Sequence, residues 1–116
     1  MAVKLNSASF DHAKRLIKDG KFVLDDRDDW SEHQPSAEDE NRFIEKHGFE
    51  EYSRWYLGVD VEEDPDTKAH YKFPYGDFKK AHRCGLLAAE TRAAQRDYDD
   101  IASAAHQLHD MLDELQ

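Results

Sequence analysis

Residues 71–89 read YKFPYGDFKKAHRCGLLAA. Tyr71, Phe73 and Tyr75 alternate with other residues, the period of a half-buried strand. Pro74 and Gly76 interrupt that pattern, and both residue types punctuate regular structure. Asp77 is a favoured helix N-cap, so a helix is predicted from Asp77 to about Arg96. On that helix Phe78, Ala81, Gly85, Ala88 and Ala89 share a face of mostly small residues, which would let another element approach closely. A strand, a turn and a helix in this order point to a mixed α and β domain.

The surroundings extend this reading. Trp55, Leu57, Val59 and Val61 alternate as a second strand, and the acidic, turn-forming DVEEDPDTK (60–68) separates the two, so a β-hairpin is predicted. A helix across FEEYSRWYL (49–57) competes with the start of that strand, because Phe49, Tyr52 and Tyr56 also have helical spacing. Near the N-terminus Ser7 or Ser9 can cap a helix whose face is Phe10, Ala13, Leu16 and Ile17, with Gly20 as its stop. KFVL (21–24) reads as a short strand. The polar, acidic stretch that follows reads as a loop ending at Pro35. Ser36 and Asp39 then resemble a capping box, opening a helix that carries Phe43 and Ile44 and stops near Gly48. At the far end a short break at 97–100 precedes Ile101, Ala104, Ala105, Leu108, Met111, Leu112 and Leu115, a strongly amphipathic helix. The fold class is therefore α+β in a single domain over residues 1–116. It has about four helices, a β-hairpin or three short strands, and a C-terminal αα-hairpin.

Composition bounds the function. One domain fits 116 residues. Leu, Ile, Val and Phe supply only 22 of them, a share at which disorder becomes a concern. Five Tyr and two Trp offset that shortage, since each ring buries a large area, and the core is expected to lean on aromatics. Net charge is −10, which argues against duplex nucleic acid and anionic membranes as partners. The single cysteine, Cys84, permits no internal disulfide and fits a cytoplasmic location. No apolar run is long enough for a transmembrane helix or a secretory signal.

Catalytic and metal signatures are weak. His106 and His109 lie i, i+3 on the last helix, with Asp110 and Asp113 close by, so a divalent metal could use them. Yet HQLH lacks the glutamate of a HExxH motif. The acidic loops miss the EF-hand pattern: from Asp60, Pro65 stands where the glycine belongs. Cys84 would need His82 as a base, and residues two apart on a helix diverge. Phosphate-binding glycine loops and a GxSxG elbow are absent. Carboxylates are so plentiful that no pair of them is diagnostic. No cofactor and no catalytic residue is expected, and a non-enzyme is favoured.

Charge asymmetry is the stronger signal. Between Asp77 and Arg96 stand five cations and two anions, a net of +3 that leaves −13 for the rest of the chain. Nine of the thirteen aromatics fall between Phe43 and Phe78. The expected function is a protein-interaction module, with Tyr71, Tyr75, Lys79, Lys80 and Arg83 contacting a protein partner. The alternatives are a metal-dependent enzyme using His82 or the His106/His109 pair, and a weak single-stranded nucleic-acid binder using Lys79, Lys80, Arg83 and Tyr75. The cations could also pair with the chain's own acidic loops, DDRDD (25–29) and DVEED (60–64).

At WYLGVD (55–60) and TKAHYKFPYGDFKKAHRCGLLAAETRAAQ (67–95) the chain resembles small stand-alone bacterial proteins without an assigned function. The signature is the YKFPYGDF tract with the HRCGLLAAETRA helix behind it. This resemblance implies a bacterial or phage-derived cytoplasmic protein and supplies no catalytic residues.

Overall fold

Strand β1 (Val3–Leu5) opens the chain, ahead of the first element that sequence periodicity marks. The structure, a computed structural model, describes residues 2–26 and 29–115. Arg27 and Asp28, inside the DDRDD run, lie outside the described residues. After β1 come α1 (Ser7–Lys18), β2 (Phe22–Val23), the short α2 (Trp30–His33) and α3 (Ala37–Ser53). Then follow β3 (Tyr56–Asp60), β4 (Tyr71–Pro74), β5 (Ala81–His82), α4 (Arg83–Gln95) and α5 (Asp99–Glu114). The domain is α+β, with the expected C-terminal helix pair. No helix among the described residues is long and apolar enough to cross a membrane.

The predicted hairpin forms: β3 and β4 pair antiparallel with Tyr56 opposite Pro74 and Val59 opposite Tyr71. Strand β1 adds to the other edge of β3, so the sheet has order β1-β3-β4. The backbone N–H of Leu5 donates to Asp100 Oδ2 at 2.9 Å, which ties this edge to the start of α5. The short strand expected near KFVL is β2, and it pairs in parallel with β5.

That second pairing corrects the reading of residues 77–82. They are not helical, and Asp77 does not cap α4. Ala81 lies opposite Phe22 and His82 opposite Val23, and α4 begins only at Arg83. Asp77 instead closes a turn: its Oδ1 accepts from Lys79 N at 3.0 Å and Lys80 N at 2.7 Å. An aspartate that hydrogen-bonds the backbone two residues on serves a turn and a helix N-cap equally well. The free strand edge of Phe22–Val23 decides between them.

The capping box is present as predicted. Ser36 Oγ accepts from Asp39 N at 3.1 Å and Asp39 Oδ2 accepts from Ser36 N at 3.2 Å. Ser36→Ala is expected to lower stability by about 1 kcal/mol. Urea denaturation measures this, and an unchanged midpoint would show that the cap is energetically idle. Gly48, at φ 81° and ψ 172°, does break helical geometry. The helix resumes beyond it as far as Ser53, so the stop expected near Gly48 is a kink. The polar loop predicted before Pro35 contains α2.

The helix-versus-strand ambiguity at 49–57 resolves into both, with the switch at Arg54 and Trp55. Carbonyls at a helix end lack intrahelical donors. Here distant side chains supply them: Asn6 Nδ2 donates to Ser53 O at 2.9 Å and to Tyr56 O at 3.1 Å. Ser9 Oγ donates to Arg54 O at 2.9 Å and Tyr75 Oη to the same carbonyl at 2.8 Å.

The interior does lean on rings, as composition implied, beside an aliphatic majority. Tyr52, Trp55, Tyr56, Tyr71 and Tyr75 join Ile17, Leu57, Leu86, Ile101, Leu108 and Leu112 in one buried cluster. Buried tyrosines need hydrogen-bond partners. Tyr56 Oη donates to Glu40 Oε2 at 2.7 Å, and Tyr71 Oη to Pro65 O at 2.6 Å. Of the predicted apolar stripe on α5, Ile101, Ala104, Ala105, Leu108 and Leu112 are buried, while Leu115 is exposed.

Candidate functional site

The turn at 77–80 carries two of the predicted cations and brings one of them, Lys79, to an aromatic surface. Phe78 adopts φ 69°, a left-handed conformation that costs a non-glycine residue about 1–2 kcal/mol. Its ring stacks on Phe43 of α3, with centroids 4.5 Å apart and planes 16° from parallel, and meets Trp55 edge-on. The half-buried Phe43–Phe78 pair borders a groove of about 570 Å³ between α3, the approach to Pro35 and the turn. Arg42, Lys46 and Lys79 line the same groove, together with the carboxylates of Glu32, Asp39, Glu45 and Asp77. Lys79 and Lys80 are exposed.

The turn is held from below by His82, which is only 3% exposed. His82 Nδ1 lies 2.7 Å from Asp25 Oδ2, and His82 Nε2 lies 2.9 Å from Asp77 Oδ2. Only the doubly protonated imidazolium can donate to both carboxylates at once. Burial pulls the His82 pKa down, but the hydrogen bonds it donates to Asp77 and Asp25 outweigh it, and the net direction is upward. Asp25 and Asp77 are both held below the usual carboxylate range. Burial opposes that shift, and for Asp25 the Cys84 N–H and His82 overcome it. For Asp77, His82 and the Lys80 and Lys79 N–H groups do so. The remaining oxygen of each carboxylate is also occupied: Asp25 Oδ1 accepts from Cys84 N at 2.8 Å, and Asp77 Oδ1 takes the turn amides. His33 stacks on His82 at 5.1 Å, and Trp30 covers it from α2.

This geometry bears on the predicted residues one by one. Tyr75 is 0% exposed and Tyr71 9%, so the aromatic edge expected beside the lysines is interior: Tyr75 is committed to the Arg54 carbonyl. Arg83 is on α4, and its Nε donates to Asp113 Oδ1 at 2.9 Å. Its counter-charge lies on α5, not in the DDRDD or DVEED loops. Lys79 and Lys80 are on the turn and not on a helix. Cys84 falls in the first turn of α4, closer to its N-terminus than expected, yet burial and the neighbouring Asp25 push its thiol pKa up. A thiol held protonated is a poor nucleophile. His82 has neither ring nitrogen free to act as a base toward a substrate.

Asp25, Phe43 and Lys46 carry no signal in the sequence that marks them as site residues. Asp25 is one of many carboxylates in an acidic loop, and nothing local distinguishes it. Phe43 is legible only as a core residue of α3. Compared with protein-family models, with curated proteins and with solved structures, the chain matches none of them.

Proposed function

We propose that this chain is a non-enzymatic interaction module that takes an acidic segment of a partner protein on the Asp77–Lys80 turn and the adjoining groove. The observation that carries this reading is the set of three lysines there. Lys46, Lys79 and Lys80 have no ion-pair partner among the described residues, in a chain of net charge −10. Arg42 in the groove, and His82 and Arg83 next to the turn, are by contrast matched internally. Unpaired cations beside a half-buried aromatic pair fit a ligand that presents carboxylates and one apolar side chain. The commitment of His82 to two carboxylates and the raised Cys84 thiol pKa favour binding over catalysis at this place.

Selection from a displayed random-peptide library tests it. The chain is expected to enrich acidic peptides that contain an aromatic or aliphatic residue. Binding should weaken at least about tenfold in Lys46→Glu/Lys79→Glu/Lys80→Glu, and should fall as salt rises. Enrichment that survives the triple change would reject this surface. A fluorescent single-stranded oligonucleotide, bound at low salt and released at high salt, would favour a nucleic-acid ligand for the same lysines.

A further inference from the structure

The predicted histidine pair on α5 gains a third donor in the structure that its sequence spacing does not reveal. Glu90 projects from α4 toward both rings. Its Oε1 lies 2.8 Å from His106 Nδ1 and 3.2 Å from His109 Nε2. One atom from each of the three residues falls within 4.8 Å of the others. We propose that Glu90, His106 and His109 bind a divalent transition-metal ion such as zinc across the α4–α5 hairpin.

Three features carry this. The donor set is two imidazoles and one carboxylate, which suits a borderline ion such as zinc and not calcium or magnesium, which take oxygen. At ligand bonds of about 2.0–2.1 Å, tetrahedral donors stand about 3.4 Å apart. The Glu90 oxygen therefore needs to part by about 0.6 Å from His106 Nδ1, now at 2.8 Å, and by about 0.2 Å from His109 Nε2, now at 3.2 Å, to admit the ion. The second ring nitrogen of each histidine faces a carboxylate: His106 Nε2 is 3.2 Å from Asp110 Oδ2, and His109 Nδ1 is 3.5 Å from Asp113 Oδ2. Metal-ligating histidines usually donate the far N–H to a carboxylate; Asp110 and Asp113 are placed to take that role, and the buried His109 Nδ1 makes no hydrogen bond until they do. Asp113 is in turn held by Arg83 Nε at 2.9 Å. The metal-facing nitrogens are thus Nδ1 of His106 and Nε2 of His109. Three protein donors leave a fourth position for water or for a partner's side chain.

The site lies on the helix pair, with His109 and Glu90 half-buried and His106 exposed. An ion there would add a coordinate link between two helices that already meet through their apolar faces, the Arg83–Asp113 pair and the Glu90 hydrogen bonds. A second cluster, Asp25, His82 and Cys84, is the competing destination for an added ion. Its groups are already saturated by hydrogen bonds, and its thiol is held protonated.

The test is calorimetric titration of the chelator-stripped full chain with zinc at neutral pH. One ion per chain is expected, with binding weakened at least tenfold in both His106→Gln and His109→Gln. Asp110→Asn should weaken it about tenfold while leaving all three donors in place. Cys84→Ser should leave it unchanged. Nitrogen-detected histidine spectra should show zinc moving Nδ1 of His106 and Nε2 of His109, a readout that a merely unfolded variant cannot mimic. No binding heat and no histidine shift in the wild-type chain would overturn the proposal. So would zinc affinity lost in Cys84→Ser and kept in His106→Gln, which would place the ion at the buried cluster.

Discussion

His82→Ala is expected to destabilise the fold by about 3–5 kcal/mol, as removal of one member of a buried charge cluster does. The Asp25 side chain is 7% exposed and the Asp77 side chain 35%. Without the imidazolium, the hydrogen bond left to Asp25 among the described residues is the one from the Cys84 N–H, with His33 Nε2 3.9 Å away, and its carboxylate remains a largely buried charge. Asp77 can reach water, so the larger share of the loss belongs to Asp25. The ranking expected by chemical denaturation is therefore His82→Ala and Asp25→Ala together, with Asp77→Ala well behind. A His82→Ala loss under about 1 kcal/mol would show that the imidazolium is not charged in the folded state. The same cluster connects stability to the proposed binding surface, because Asp77 shapes the turn that presents Lys79 and Lys80.

The pH dependence follows with a definite sign. His82 is raised above 6.5, so its contribution is full below that value and fades as pH rises through the folded pKa. Asp25 and Asp77 are lowered from 3.8, so theirs is full above that value and fades as pH falls through their folded pKa values. The cluster contributes most between 3.8 and 6.5. His106 is also raised, by Glu90 first and Asp110 next, and acts in the same direction as His82. The comparison that isolates the cluster is the wild-type chain against His82→Gln. The stability gap between them should narrow as pH rises above 6.5. A gap that widens would contradict the assignment.

Gly85→Ala is expected to destabilise by about 2 kcal/mol net. Inside a helix, propensity alone favours alanine over glycine by about 1 kcal/mol. The structure opposes this, because a Cβ on Gly85 would stand 2.5 Å from the carbonyl oxygen of Tyr75, with its C and Cα at 2.8 and 2.9 Å. All three atoms are backbone, so no side chain can rotate aside. Overpacking of this kind costs about 3 kcal/mol at the upper end of its usual range. The sign is the discriminating result: a raised denaturation midpoint would mean that α4 and the Tyr75 segment do not approach this closely.

The close approach at Gly85 is legible from the run of small residues, but its partner is not. The expected neighbour is another element against a helical face that includes Phe78 and Ala81. The actual neighbour is the backbone just before the turn. Phe78 and Ala81 never reach the helix, because β5 diverts them. The candidate site divides in the same way. Lys79 and Lys80 stand out as cations in an acidic chain, and Lys79 does lie beside a half-buried aromatic pair. Tyr71 and Tyr75 have the right alternation for a strand, but alternation does not say which strand face meets water. Both rings turn inward here because the aliphatic-poor core needs their area. Glu90 has no local feature linking it to His106 and His109; the antiparallel return of α5 makes that link.

What sequence alone determined was the set of features governed by contacts a few residues apart. These include the Ser36–Asp39 capping box, the amphipathic stripe of α5, a break before the last helix (read at 97–100 and found at 96–98), the β3–β4 hairpin and a core that leans on rings. Each rests on hydrogen bonds or side-chain periods that the local chain carries within itself. The tertiary structure decided the rest. Whether Asp77 caps a helix or a turn depends on the edge of β2, more than fifty residues upstream. Where α3 gives way to β3 depends on Asn6, Ser9 and Tyr75 reaching the Ser53, Arg54 and Tyr56 carbonyls. The charge of His82 depends on Asp25, one of 26 acidic residues, whose role comes only from being folded against it.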